Sequence, residues 1–280
     1  MTMCLSHPLT RGLSLDDPRT TDIRRQIIES KPFLRQIYEQ WYRQITAAVP
    51  ARGGLAVELG SGAGFFQRFL PDVITSEVFV LPGLDLAFSA LEMPFADASL
   101  RAITMVDVLH HLPQVERFFD EAARCLRVGG VVAMIEPWAT TWSTLIYQNL
   151  HHEPFRPDAR DWSFPSTGPL SGANGALPWI VFQRDRSIFE SRFPSLKIRT
   201  LKPIMPFRYL VSGGVSMRTL MPGFLTPLWR GLEACLTPFN DALAMFAFIV
   251  LEKTDSLTSS AARRPRPGAT WQRANRRRGG

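Results

Sequence analysis

Residues 56–66 read AVELGSGAGFF. An apolar run closes on one acid, Glu58, and three glycines follow at alternate positions, Gly60, Gly62 and Gly64. A short apolar run bounded by turn residues is a buried strand. Glycines this dense let a ligand approach the backbone, or let the chain turn where a side chain would clash. The stretch predicts a strand, LAVEL (55–59), a tight turn, and a helix over AGFFQRFL (63–70), with a ligand seated on the turn.

Upstream, Ile23, Ile27, Leu34, Ile37, Trp41 and Ile45 recur at helical spacing over residues 20–48, and Pro32 divides them into two helices. Downstream, VITSEV (73–78), LDLAF (84–88), AITMVDVL (102–109) and VVAMIEP (131–137) read as strands. Pro113 opens a helix that Gly129 and Gly130 stop. Alternating strands and helices predict a mainly parallel sheet covered on both faces. Helices are expected near 140–150 and 215–236. Two late strands are expected at 197–204 and 244–253, the first nearer an edge because of Pro203 and its charges.

The organisation that follows is an irregular segment over 1–19, one domain over 20–253, and a tail over 254–280. Within the domain, the Pro- and Gly-rich insertion 138–195 is read as a lid that shapes an acceptor pocket. Its aromatic residues, Trp138, Trp142, Tyr147, Phe155, Trp162, Phe164 and Trp179, either line that pocket or form the lid's own core. The tail is too poor in apolar residues to build a core and is expected to be disordered.

The 280 residues carry a net charge of +7, but seven arginines and no acid fall in 256–280, so the basicity belongs to the tail and not to a binding face. Cys4, Cys125 and Cys235 are scattered and odd in number, which argues against a disulfide framework or a cysteine metal site and fits a reducing compartment. His151, His152 and Glu153 lack a third ligand at metal spacing, so they are expected to shape the acceptor pocket and no metal is expected. With no apolar run long enough for a signal peptide or a membrane span, a cytoplasmic location is expected. Residues 203–251 are apolar enough for peripheral contact with a membrane surface, against the simpler reading of a helix packed on the sheet.

Two ligand classes use a strand, glycine turn and helix. A dinucleotide wants G-x-G-x-x-G, but Phe65 stands at the third glycine position. The spacing here, E-L-G-S-G-A-G, resembles motif I of the class I S-adenosylmethionine-dependent methyltransferases. ALEMPFADASLRAITMVDVLHHL (90–112) and RCLRVGGVVAMIEP (124–137) resemble further stretches of that family, in the same order. The resemblance implies a Rossmann-like doubly wound α/β sheet of seven strands with the last antiparallel, a helical N-terminal extension over the cofactor crevice, and an insertion after strand 5. S-adenosylmethionine is the cofactor it implies.

In that reading Gly60, Ser61, Gly62 and Gly64 pass close beneath the cofactor and Glu58 supplies negative charge near its ammonium group. Glu77, ending the second strand, is placed to take the two ribose hydroxyls. Ser89 and Ala90 stand where many relatives have Asp-Ala, so Ser89 makes a weaker adenine contact. Asp107 and His110 follow the fourth strand and face the crevice, although Asp107 has the alternative of capping the next turn. His111 is the candidate general base, against a packing role. The expected activity is methyl transfer to a small-molecule or lipid-like acceptor. Its rivals are a non-catalytic S-adenosylmethionine-binding module, or an RNA methyltransferase guided by the tail.

Overall fold

Seven strands pair into one sheet in the order β3-β2-β1-β4-β5-β7-β6. The computed structural model describes residues 19–151, 153–166, 168 and 172–255. The N-terminal segment 1–18, His152 and the Arg-rich stretch from 256 onward lie outside the described residues. β1 (Leu55–Leu59) pairs in parallel with β2 (Val73–Glu77) and with β4 (Leu100–Val106). β3 (Leu86–Ala87) extends one edge in parallel from β2, and β5 (Leu126–Pro137) runs parallel to β4. β7 (Phe246–Lys253) inserts antiparallel between β5 and β6 (Leu196–Ile204), leaving β6 at the edge. The strand order reverses between β1 and β4, and ligands of open α/β sheets bind outside the carboxyl ends of the strands at such a switch.

Two helices precede the sheet, α1 (Arg19–Ser30) and α2 (Pro32–Ala48). Pro32 sits in the first turn of α2, where its missing N–H costs nothing. Phe33, Leu34, Ile37, Tyr38, Trp41, Tyr42 and Ile45 form one buried stripe on α2. Trp41 packs on Phe246 of β7 with ring centroids 4.9 Å apart and stacks on Tyr209 at 5.7 Å. Between β4 and β5 lies α3 (Val115–Cys125), which buries Val115, Phe118, Phe119 and Ala122. The 138–195 insertion carries α4 (Thr141–Leu150), a short turn α5 (Leu177–Trp179) that runs into a π-turn, and α6 (Arg186–Arg192). α7 (Arg208–Ser212), α8 (Thr226–Cys235) and α9 (Asn240–Leu243) lie between the last two strands.

Several local expectations change. The helix expected after the glycine turn is a single 3-10 turn, Phe66–Arg68. Phe65, Phe66 and Phe69 gather around Tyr42 at 5.1, 5.2 and 5.6 Å, and this packing replaces helical repetition. The fourth strand stops at Val106 because Asp107 takes φ +57. Gly129 and Gly130 do not end α3, which stops at Cys125. They lie inside β5, where the β4 register jumps from Leu126 to Val131 and Gly129 takes φ +75. The helix expected over 215–236 is confined to Thr226–Cys235, since Pro222 and Gly223 break its first half. It leaves Leu228 and Leu232 exposed, buries Thr226 and Glu233, and neighbours α7 and the flanking 3-10 turns. Among the described residues, no helix is long and apolar enough to cross a membrane.

Trp41 joins α2 to β7 and α7 with no exposure to solvent. Trp41→Ala is expected to cost about 3–5 kcal/mol, read as a lower urea midpoint at unchanged slope.

Candidate functional site

The carboxyl ends of β1, β2, β4 and β5 open into one cavity of about 560 Å³. Its floor is the glycine turn. Gly60 takes φ +71, and a Cβ there would lie 2.5 Å from the side chain of Val108. A Cβ on Gly62 would meet Thr21 at 2.4 Å, and one on Gly64 would meet the Tyr42 hydroxyl at 2.4 Å. The last two contacts come from α1 and α2, so these glycines admit the N-terminal helices as well as a ligand. Arg25 of α1 donates to the Gly62 carbonyl at 3.0 Å. Thr21, Arg24, Tyr38 and Tyr42 complete that wall of the cavity.

Glu58 stands next to last in β1 and is buried. Burial lifts its pKa to about 7, an effect that the nearby Ser61 hydroxyl and Arg25 offset only in part and that Glu77 reinforces. Ser61 itself sits beneath the turn. Its Oγ accepts from Ser76 N at 3.1 Å and donates to the Glu58 carbonyl at 3.2 Å, stitching β1 to β2. Glu77 ends β2 on the cavity wall and accepts from Val78 N at 3.0 Å and Gly62 N at 3.4 Å. Burial raises its pKa too. Ser89 and Ala90 line the same side, and Ser89 Oγ accepts from Leu91 N at 3.2 Å.

Across the cavity, Asp107 holds a left-handed backbone that only a few residue types tolerate. Burial pushes its pKa up to about 7 against the pull of His110. The 3-10 turn Leu109–His111 follows. This turn is pinned by Glu136, the fully buried acid next to last in β5. Glu136 accepts from Val108 N at 2.9 Å, from Leu109 N at 2.7 Å, and from His110 Nδ1 at 2.8 Å. His110 Nε2 lies 3.4 Å from Glu153. Burial opposes the charge on His110, but Glu136 and Glu153 outweigh it and lift the pKa to about 10.

His111 differs from its neighbour. Its Nδ1 lies 3.1 Å from the Gly172 carbonyl, which fixes the proton on Nδ1 and leaves the Nε2 lone pair facing Glu153 at 3.7 Å. Burial and the adjacent His110 lower its pKa to about 4, so it stays neutral at physiological pH. The hydrogen bond from His110, with the neighbouring histidines, holds Glu153 well below the usual carboxylate range despite its burial.

The cavity thus brings together Glu58, Gly60, Gly64, Glu77, Ser89, Ala90, Asp107, His110 and His111. Gly62 abuts it through Glu77, and Ser61 is the one expected contact that lies behind it. Glu136, Arg24, Tyr38 and Tyr209 were not singled out from the sequence. Glu136 carries the signature that marked Glu58, one acid closing an apolar strand. From the insertion, Tyr147, His151, Glu153, Pro154 and Phe155 face the cavity, whereas Trp138 and Trp162 are core. Buried Asn174 laces this segment to the histidine turn, its N donating to the His110 carbonyl at 3.0 Å and its Oδ1 accepting from Arg156 N at 2.9 Å.

Known proteins resemble this chain chiefly in its central part. The family model for a methyltransferase domain matches residues 57–134. A demethylmenaquinone methyltransferase of Roseiflexus castenholzii is 34% identical over 110 residues, covering 33% of this chain and 46% of the relative. Its counterpart in Roseiflexus sp. is 33% identical over the same shares. The matched stretch spans about half the length of these curated relatives. Among solved structures, geranyl diphosphate C-methyltransferase from Streptomyces coelicolor superposes with a TM-score of 0.50 at 12% identity, over 89% of this chain and 92% of that one, which is a likeness of fold. Residues 57–134 of the chain thus match the methyltransferase-domain family, and the sheet that surrounds them shares the fold of such an enzyme.

Proposed function

We propose that this protein transfers a methyl group from S-adenosylmethionine to a small-molecule or lipid-like acceptor held against His111. The observation that carries the reading is a single cavity with buried acids at the ends of β1 and β4 and a glycine turn between them. Raised carboxyl pKa values mean that burial leaves Glu58 and Asp107 short of positive charge. A ligand with an ammonium and a sulfonium supplies that charge; a pyrophosphate would worsen the deficit. The turn is also followed by one 3-10 turn and not by a helix, so it lacks the dipole on which dinucleotide phosphates rest.

The residues present fit the cofactor. Glu58 and the backbone of Gly60 to Gly64 would hold its amino-acid end, Glu77 its ribose hydroxyls, and Ser89 with Ala90 its adenine. When bound, S-adenosylmethionine supplies an electrophilic methyl that passes to a lone pair of the acceptor as the carbon–sulfur bond breaks, leaving S-adenosylhomocysteine. The protein aligns the two partners and keeps water out. For an acceptor bearing a hydroxyl, the proton lost goes to the Nε2 lone pair of His111, while His110, held charged by Glu136 and Glu153, stays fixed. Tyr38, Tyr147, Phe155, Tyr209 and Phe246 give the acceptor end an aromatic wall. The Roseiflexus relatives act, by name, on demethylmenaquinone, which supports a small apolar acceptor.

Incubation with methyl-labelled S-adenosylmethionine and a panel of phenols, quinols and hydroxylated lipids is expected to place label in at least one acceptor. With that acceptor, His111→Gln should lower kcat by about 10²–10⁴-fold and leave the KM for S-adenosylmethionine unchanged. Label in none of the panel, or a variant as fast as wild type, contradicts the assignment.

A second prediction concerns pH. The free protein retains protons on Glu58 and Asp107 up to about pH 7, above the range where an exposed carboxylate loses them. A cationic ligand favours the ionised forms, so binding expels protons between roughly pH 5 and 7, and affinity rises by about tenfold or more across that window. Calorimetry in two buffers of different ionisation enthalpy reads the proton release. Affinity independent of pH would remove both acids from the binding site.

A further inference from the structure

His110 Nε2, His111 Nε2 and a carboxylate oxygen of Glu153 lie within 4.8 Å of one another on the cavity wall. We propose that these three groups form a binding site for one divalent first-row transition-metal ion, and that the ion holds a hydroxyl or carbonyl oxygen of the acceptor.

Three observations carry the site. The first is the orientation of the imidazoles. Each histidine has its Nδ1 taken by an acceptor, Glu136 for His110 at 2.8 Å and the Gly172 carbonyl for His111 at 3.1 Å. Both therefore turn Nε2 to the same point, where the ion would displace the proton that His110 Nε2 otherwise shares with Glu153. An outer carboxylate or carbonyl on the far nitrogen is the usual support of a metal-bound histidine.

The second is distance. Glu153 Oε2 stands 3.4 Å from His110 Nε2, and Glu153 Oε1 stands 3.7 Å from His111 Nε2. A charge-assisted hydrogen bond closes to about 2.7–2.9 Å, as the Glu136 contact with His110 does. Ligand atoms about 2.1 Å from one tetrahedral ion are roughly 3.4 Å apart. The Glu153 oxygens stand at about the second spacing from the two rings. The third is access. The three groups open on the acceptor end of the cavity, leaving at least one coordination position for an outside ligand, the arrangement of catalytic and not of structural sites.

Two imidazoles and one carboxylate suit zinc, iron, cobalt or manganese better than calcium. Such an ion would lower the pKa of an acceptor hydroxyl, whose proton then leaves to solvent while the oxygen lone pair forms the bond to the methyl carbon. His111 then acts through the ion and not as the free base. The role in methyl transfer rests on the function proposed above; the ion site itself does not.

The test uses the full chain, stripped with a chelator and titrated with Co²⁺ as a visible probe. One equivalent is expected to bind with the d–d absorption of a mixed nitrogen and oxygen site. His111→Gln and Glu153→Gln should each weaken binding at least about 100-fold, while calorimetric binding of S-adenosylhomocysteine stays as in wild type and reports an intact fold. Absence of bound Co²⁺ in wild type, or variants that bind it equally well, overturns the site. Co²⁺ binding without S-adenosylhomocysteine binding would instead sink the methyltransferase reading and leave the site standing.

Discussion

A carboxylate taken out of water must be given hydrogen-bond donors or positive charge, and two central strands of this sheet carry one next to last. Glu136 at the end of β5 receives them from the protein itself: two backbone N–H groups and the His110 ring. It thereby fixes the turn after β4 and the direction in which both histidines point. Glu58 at the end of β1 is buried to a similar degree, but its neighbours only partly satisfy it, and its pKa is lifted to about 7. One acid completes the scaffold. The other leaves a demand that a cationic ligand meets.

The N-terminal helices close that site from above. Tyr42 sits so near Gly64 that a side chain there would collide with it, and Arg25 donates to Gly62. The glycines therefore answer two constraints, the approach of the cofactor and the seating of α1 and α2. The same packing draws Phe65, Phe66 and Phe69 around Tyr42 and replaces the helix found in dinucleotide sites with one short turn. The fold thus disfavours phosphate through the aromatic cluster as well as through charge.

Much of this was legible in the sequence because local patterns were strong. The apolar runs of β1, β4, β5 and β7 and the stripe on α2 place the sheet and its cover, and the glycine spacing selects the ligand class. What was not legible depends on pairing at long range. AGFFQRFL reads as a helix until Tyr42 is known to occupy its surroundings. Gly129 and Gly130 read as a helix stop, whereas they form a bulge that only the β4 register reveals. Glu153 looked isolated beside His151 and His152, since the chain reaches His110 and His111 only after folding, with Asn174 holding the two segments together. The signal for Glu136 was present, a lone acid closing an apolar strand, and had the same weight as that for Glu58.

The central claim is that the acid-lined glycine crevice is an S-adenosylmethionine site. Calorimetric titration of the protein with S-adenosylhomocysteine and with NADH, beside a Gly62→Arg variant, tests it most directly. Gly62 lies against Glu77 and Thr21, so an arginine there fills the crevice. The account predicts micromolar binding of S-adenosylhomocysteine, its loss in the variant, and no binding of NADH. Binding of NADH alone, or S-adenosylhomocysteine binding that survives the arginine, would contradict it.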